Sequence, residues 1–202
     1  VIYFDFELSD KQFEKRYSKD YRDHFTFDEN LYRIEIDPEK LTQFDFENQL
    51  FASLEETIET LNSKVIIIDN LTYLKAQATE TAKEALPLMK RLKDLKTKFD
   101  LSILVLAHTP KRNPSNPITK NDLAGSKHLA NFADSIFAIG DCHQDKSTRY
   151  LKQIKARATE LLYDSENIIE CSIVKNLNFL KFEYKNHGFE KDHLSKSKND
   201  SL

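Results

Sequence analysis

The stretch Lys64-Val65-Ile66-Ile67-Ile68-Asp69-Asn70 constrains the fold of this chain more than any other. Its four consecutive β-branched apolar residues are stiff at χ1 and suit a pleated surface. A run this short, closed by a carboxylate and a turn-forming Asn, reads as a strand buried on both faces, as in a parallel α/β sheet. Asp69 then stands at the strand's carboxyl end, where open α/β sheets place their ligand crevice.

Other segments fit the same architecture. Val1–Glu7 reads as a buried strand ending in acids. Ser9 caps a helix running to about Lys19, with Asp10 in its first turn. Leu31–Ile36 alternates apolar and polar residues, as a half-buried strand does. Leu50, Leu54, Ile58 and Leu61 recur at helical spacing within 46–61. Thr79–Lys98 is a long basic-and-apolar helix, with Pro87 as a kink or break. Leu101–Ala107 is another buried strand, followed by a loop over Thr109–Asn121 rich in Pro, Asn and cations. A short helix over Ser126–Phe132 precedes a strand over Ser135–Ile139. Beyond Arg149 two or three antiparallel strands follow, at Tyr150–Ala156, Ile168–Val174 and Phe179–Tyr184. The expected fold is therefore α/β, a mostly parallel central sheet flanked by helices, with antiparallel strands at the C-terminal end. It forms one domain over residues 1–194, and the polar tail 195–202 reads as disordered.

Composition narrows the function classes. The formal net charge over 202 residues is only −3, with both signs mixed throughout. No global basic field exists to hold nucleic acid, so any such contact is local. Cys142 and Cys171 match no metal-ligand spacing, and a reduced, cytoplasmic chain is the expectation. No apolar run is long enough to span a bilayer. The chain opens at Val1 with residues that already read as strand interior, which suggests a fragment with its upstream part missing.

The strand ends carry the chemistry. Phe6-Glu7, Asp69 and Ala107-His108-Thr109 each close a strand. Leu123-Ala124-Gly125-Ser126 through Ala133-Asp134-Ser135-Ile136 follows, and then Lys155-Ala156-Arg157 on a later strand. In this order the series resembles the RecA/DnaB-type P-loop ATPase core, most closely the RepA-like hexameric helicases of plasmids and mobile elements. The resemblance covers roughly residues 1–194. It implies ATP and Mg²⁺ as cofactors, single-stranded DNA and further copies of the chain as partners, and a ring-shaped ATPase acting in replication or transfer.

Site roles follow from the same resemblance. Asp69 matches the Walker B acid that holds Mg²⁺ through water. Glu7 matches the acid that positions the attacking water, with Asp5 two residues earlier as the alternative. His108 matches the γ-phosphate sensor. Lys155 and Arg157 match a basic pair reaching across a subunit interface, and strand alternation puts both on one face. Lys75, Lys111, Arg112 and Lys120 lie in the loops that face single-stranded DNA in such rings, and the loop over 109–121 offers no aromatic platform, so contact there is directed to the backbone. One element is missing. No G-x-x-x-x-G-K-[ST] occurs, and Gly125, Gly140 and Gly188 are isolated, so nothing here cradles phosphates with consecutive backbone N–H groups. The parent is then an ATPase whose fragment is inactive alone, or a non-catalytic RecA-like module for oligomerisation or DNA binding. Simpler roles stay open: a turn for Asp69, a solvated strand end for Glu7, a core position for His108, an edge-strand face for Lys155 and Arg157, and a surface loop for the cations after His108.

Overall fold

A computed structural model describes residues 1–37, 45–74, 82–123 and 127–196. They form two compact units, residues 1–108 with 124–129, and residues 109–123 with 130–202.

The first unit is built on a four-stranded sheet in the order β4-β1-β5-β6. Its strands are β1 (Ile2–Asp5), β4 (Tyr32–Glu35), β5 (Val65–Asp69) and β6 (Ser102–Val105). All three pairings are parallel. Helix α2 (Phe46–Leu61) lies between β4 and β5 in the chain, and helix α3 (Ala82–Phe99) between β5 and β6. Register puts Ile2, Phe4, Ile66, Ile68, Ile103 and Val105 on one face, where they form one core with Leu50, Leu54, Ile58, Leu88, Leu92 and Leu95 of the helices.

The other face is less covered, and this corrects the expectation that the 64–69 strand is buried on both faces. Ile66 and Ile68 are fully buried, whereas Val65 is 39% exposed and Ile67 is intermediate. Among the described residues, α2 and α3 bury the side chains of one face only. Period 2 then gives alternating burial.

Two further boundaries differ from the sequence reading. Helix α1 (Asp10–Arg16) starts at the expected cap, where Ser9 and Gln12 form a capping box. It stops three residues early because Asp20 and Tyr21 adopt left-handed backbone. That turn closes a small hairpin, β2 (Ser18–Lys19) with β3 (Asp23–His24), and Asp tolerates such φ values better than most residues. Helix α3 is not broken at Pro87. Its buried Leu88, Leu92 and Leu95 keep helical spacing beyond the proline.

The second unit is an antiparallel sheet in the order β10-β9-β8-β7. The strands are β7 (Ser135–Asp141), β8 (Thr148–Ala156), β9 (Ile168–Asn176) and β10 (Phe179–Gly188). The three C-terminal antiparallel strands expected from the sequence are all present, each somewhat longer. A short helix α4 (Lys127–Phe132) precedes β7, and its residues from 130 onward belong to this unit. Gly140 lies under the Tyr150 ring, and a Cβ there would meet the ring at 2.1 Å. Among the described residues no helix is long and apolar enough to cross a membrane.

Candidate active site

In the first unit the carboxyl ends of three parallel strands bring acids together. Asp5 and Asp69 are register partners on β1 and β5, and the Phe6 N–H donates to the Asp69 carbonyl at 2.8 Å, carrying the pairing one step further. Glu7 follows directly. His108, three residues beyond β6, places its Nε2 2.8 Å from Glu7 Oε1. Glu7, Asp69 and His108 therefore meet at one edge of the sheet, as the strand-end reading expects.

The acids differ in what they hold. Asp5 is fully buried. Its Oδ1 accepts from the Glu7 and Leu8 N–H groups at 3.1 and 2.9 Å, and its Oδ2 from Arg33 Nε at 2.9 Å. Asp69 is half-buried and accepts one hydrogen bond on Oδ2, from the Tyr3 hydroxyl at 2.7 Å. Burial pushes the Asp69 carboxyl above the ordinary range, the nearby Glu7 and Asp5 charges push the same way, and the Tyr3 hydroxyl and His108 oppose them. The Tyr3 phenol is raised in turn, by burial first and then by donating to Asp69. Asn70 is buried, its Nδ2 donates to Glu7 Oε1, and the Asp69–Asn70 peptide is cis.

This donor set suits a water-held divalent cation at Asp69, because Mg²⁺ keeps several waters and takes only one or two carboxylates. Among the described residues no group of three or more His, Cys, Asp or Glu side chains is placed to hold a metal ion directly, at this edge or elsewhere.

Of the other anticipated site residues, Lys111, Arg112, Lys120, Lys155 and Arg157 lie in the second unit. Lys155 and Arg157 point together at the end of α4. Lys155 Nζ donates to the Ala130 and Ala133 carbonyls at 2.6 and 2.7 Å. Arg157 bonds the Asn131 carbonyl at 2.9 Å and pairs with Asp134 at 2.8 Å. The last carbonyls of a helix lack intrahelical partners, and cations there are favourable. Burial, Arg157 and Lys120 together draw the Lys155 ammonium below its ordinary range. In the loop after His108, Lys111 and Lys120 are exposed. Arg112 instead donates to the Asn116 carbonyl and approaches Asp122 at 3.4 Å. Lys75 and Gly125 lie outside the described residues.

Sequence reasoning missed a buried network below this loop. The carboxylate of Glu190, 1% exposed, accepts from Lys152 Nζ, from Ser165 Oγ at 2.8 Å, from the Tyr150 hydroxyl at 3.1 Å and from the Ile118 N–H at 2.7 Å. Strand period offered one signal, since Lys152 shares the inward face of β8 with Thr148 and Tyr150. It also passed over Asn70 and Tyr3. Tyr3 alternates with Asp5 on β1 and so shares its face, which was legible from period alone.

A parallel sheet with acids gathered at its carboxyl edge is consistent with an α/β RecA-like fold, and the family comparison supports a nucleotide-binding, ATPase-type domain of that class. The family model described as an AAA domain matches residues 1–114, and the chain belongs to that family. The match takes in Glu7, Asp69 and His108 and ends before Lys155 and Arg157. Against curated proteins the chain has no match.

Proposed function

We propose that the chain is the core of an oligomeric, ATP-hydrolysing DNA motor, close to the RepA-like hexameric helicases. It would act in the cytoplasm, in plasmid or mobile-element replication or transfer. The observation that carries this is the meeting of Asp69, Glu7 and His108 at the carboxyl edge of one parallel sheet. Phosphoryl transfer to water needs a held cation, an oriented nucleophile and positive charge at the γ-phosphate. Asp69 has, among the described residues, an oxygen without a hydrogen-bond donor that could face a water-held Mg²⁺. Glu7 orients the attacking water and takes its proton, and His108 senses the γ-phosphate. When bound, Mg²⁺ and ATP supply charge neutralisation and the leaving group. Lys155 and Arg157 reach a neighbouring copy's nucleotide, and Lys75, Lys111, Arg112 and Lys120 contact phosphates of single-stranded DNA.

None of these 202 residues forms a G-x-x-x-x-G-K-[ST], so in the motor reading a phosphate cradle would have to be supplied by other residues. That same absence favours a second role, a RecA-like module that assembles or binds DNA without hydrolysis. One experiment separates the two: Mg²⁺-dependent ATP hydrolysis by the full-length protein, with and without single-stranded DNA, beside its Asp69→Ala variant. DNA-stimulated turnover that disappears in the variant supports the motor. A folded, DNA-binding protein without turnover or ATP affinity supports the module.

A further inference from the structure

Two donors share one oxygen of Glu7. Asn70 Nδ2 donates to Oε1, and His108 Nε2 lies 2.8 Å from the same atom. A carboxylate oxygen has two lone pairs, so these partners fill Oε1. Among the described residues Oε2 has no hydrogen-bond partner. Asn70 is held from its other side as well. It is 1% exposed, and its Oδ1 accepts from the Thr72 N–H at 2.8 Å. That bond fixes the amide's orientation, since the oxygen must face Thr72 and the nitrogen Glu7.

We propose that Asn70 is a positioning residue for Glu7. With His108 it occupies Oε1, so that Oε2 is the oxygen presented to a water. The inference rests on Glu7 as the water-orienting acid. A Glu side chain has three rotatable bonds, and that of Glu7 is 29% exposed, so without anchors it samples several rotamers. A reacting group displaced by about 1 Å costs on the order of a hundredfold in rate. Asn70 follows Asp69 directly, so one turn sets both the cation-holding acid and the orientation of the water-holding acid.

The test compares Asn70→Asp, Asn70→Ala and Glu7→Gln. Asn70→Asp keeps the acceptor for Thr72 and the side-chain shape but removes the donor to Glu7, and Asn70→Ala removes both without adding charge. In the full-length protein both should lower kcat about tenfold to a hundredfold, with KM for Mg·ATP within about twofold. In the 202-residue chain without nucleotide, the Asn70 side-chain amide signal in a nitrogen–proton NMR spectrum should move on Glu7→Gln. If Asn70 only builds the turn at Thr72, Asn70→Asp turns over at the wild-type rate and that signal stays in place. Either result overturns the proposal. A Glu7→Gln protein that hydrolyses ATP normally refutes the role of Glu7 itself. An inactive Glu7→Gln beside a fully active Asn70→Asp refutes only the part given to Asn70.

Discussion

Asp5 and Asp69 face each other across β1 and β5 as register partners, yet their carboxylates have opposite commitments. Asp5 is sealed from solvent, with both oxygens engaged by two backbone N–H groups and Arg33. It shapes the turn that delivers Glu7. Asp69 gives one oxygen to Tyr3, and among the described residues its other oxygen has no hydrogen-bond donor. Of Asp5 and Glu7, only Glu7 keeps an oxygen without a hydrogen-bond donor among the described residues.

Asp69 carries a cost that its replacement should reveal. Its folded pKa is raised, first by burial, above the unfolded value of about 3.9. A raised carboxylate pKa means the charged form is disfavoured in the fold. The associated stability is full below about pH 4 and is lost as pH rises through the folded value. Asp69→Asn, which still accepts from Tyr3, should therefore melt higher than wild type at pH 7, by a few degrees at about 2–4 °C per kcal/mol. The gain should shrink toward pH 4. Calorimetry at both pH values measures it, and a lower melting temperature at pH 7 contradicts it.

The Lys152–Glu190 pair makes the opposite prediction. Burial opposes the ionised Glu190, but the bonds from Lys152, the Ile118 N–H and Ser165 outweigh it and hold the carboxyl below its ordinary range. Stability from this group is present above about pH 4.3, the unfolded value, and is lost as pH falls through the lowered one. Lys152→Met leaves a buried charge unpaired and should cost about 3–5 kcal/mol in denaturant unfolding at pH 7. Adding Glu190→Leu to it should recover much of that loss. A double variant as unstable as the single one would show that the network's hydrogen bonds matter more than its charge balance.

Much of this was legible in the sequence where the signal was local. The run Val65–Ile68 is a strand, the Leu50-Leu54-Ile58 spacing gives α2 its bounds, and strand ends carry Glu7, Asp69 and His108 to one edge. What was not legible depended on tertiary partners. Covering one sheet face rather than two is set by where α2 and α3 dock. The β2–β3 hairpin hinges on left-handed Asp20 and Tyr21, a conformation that no pattern in that stretch announces. Glu190 lies 38 residues from Lys152 in sequence, and nothing in either neighbourhood predicts their meeting.

The loop cations should separate into two kinds. Lys111 and Lys120 are exposed, whereas Arg112 bonds Asn116 and approaches Asp122 within its own loop. If the loop contacts single-stranded DNA, Lys111→Ala and Lys120→Ala should each reduce the slope of log affinity against log salt by about 0.7. Arg112→Ala should lower the slope likewise and in addition loosen the loop, raising backbone hydrogen exchange between Asn113 and Asn116. Salt titrations of all three in the full-length protein, with amide hydrogen exchange of Arg112→Ala, decide this. Unchanged slopes for both lysines remove the loop from the DNA contact.

Arg157 is the residue for which the structure and the proposed function make the clearest joint demand. Within its own chain it pairs with Asp134, both side chains being more than half exposed. Exposed pairs of this kind contribute about 0–1 kcal/mol. To reach a neighbour the guanidinium would give up this exposed pair and its bond to the Asn131 carbonyl, and its planar fork stays charged and suits a phosphate. Lys155 is tied to the carbonyls of Ala130 and Ala133 and has less freedom. In the full-length protein, Arg157→Ala should leave melting temperature and ATP affinity close to wild type while turnover falls about a thousandfold or more. Lys155→Ala should lower stability as well as turnover. Because a finger serves the neighbour's site, mixing Arg157→Ala with Asp69→Ala subunits should restore part of the activity, at interfaces that join an intact site to an intact arginine. Co-assembled mixtures with no recovered turnover, alongside an Arg157→Ala protein of normal stability, would confine Arg157 to the α4 terminus of its own subunit.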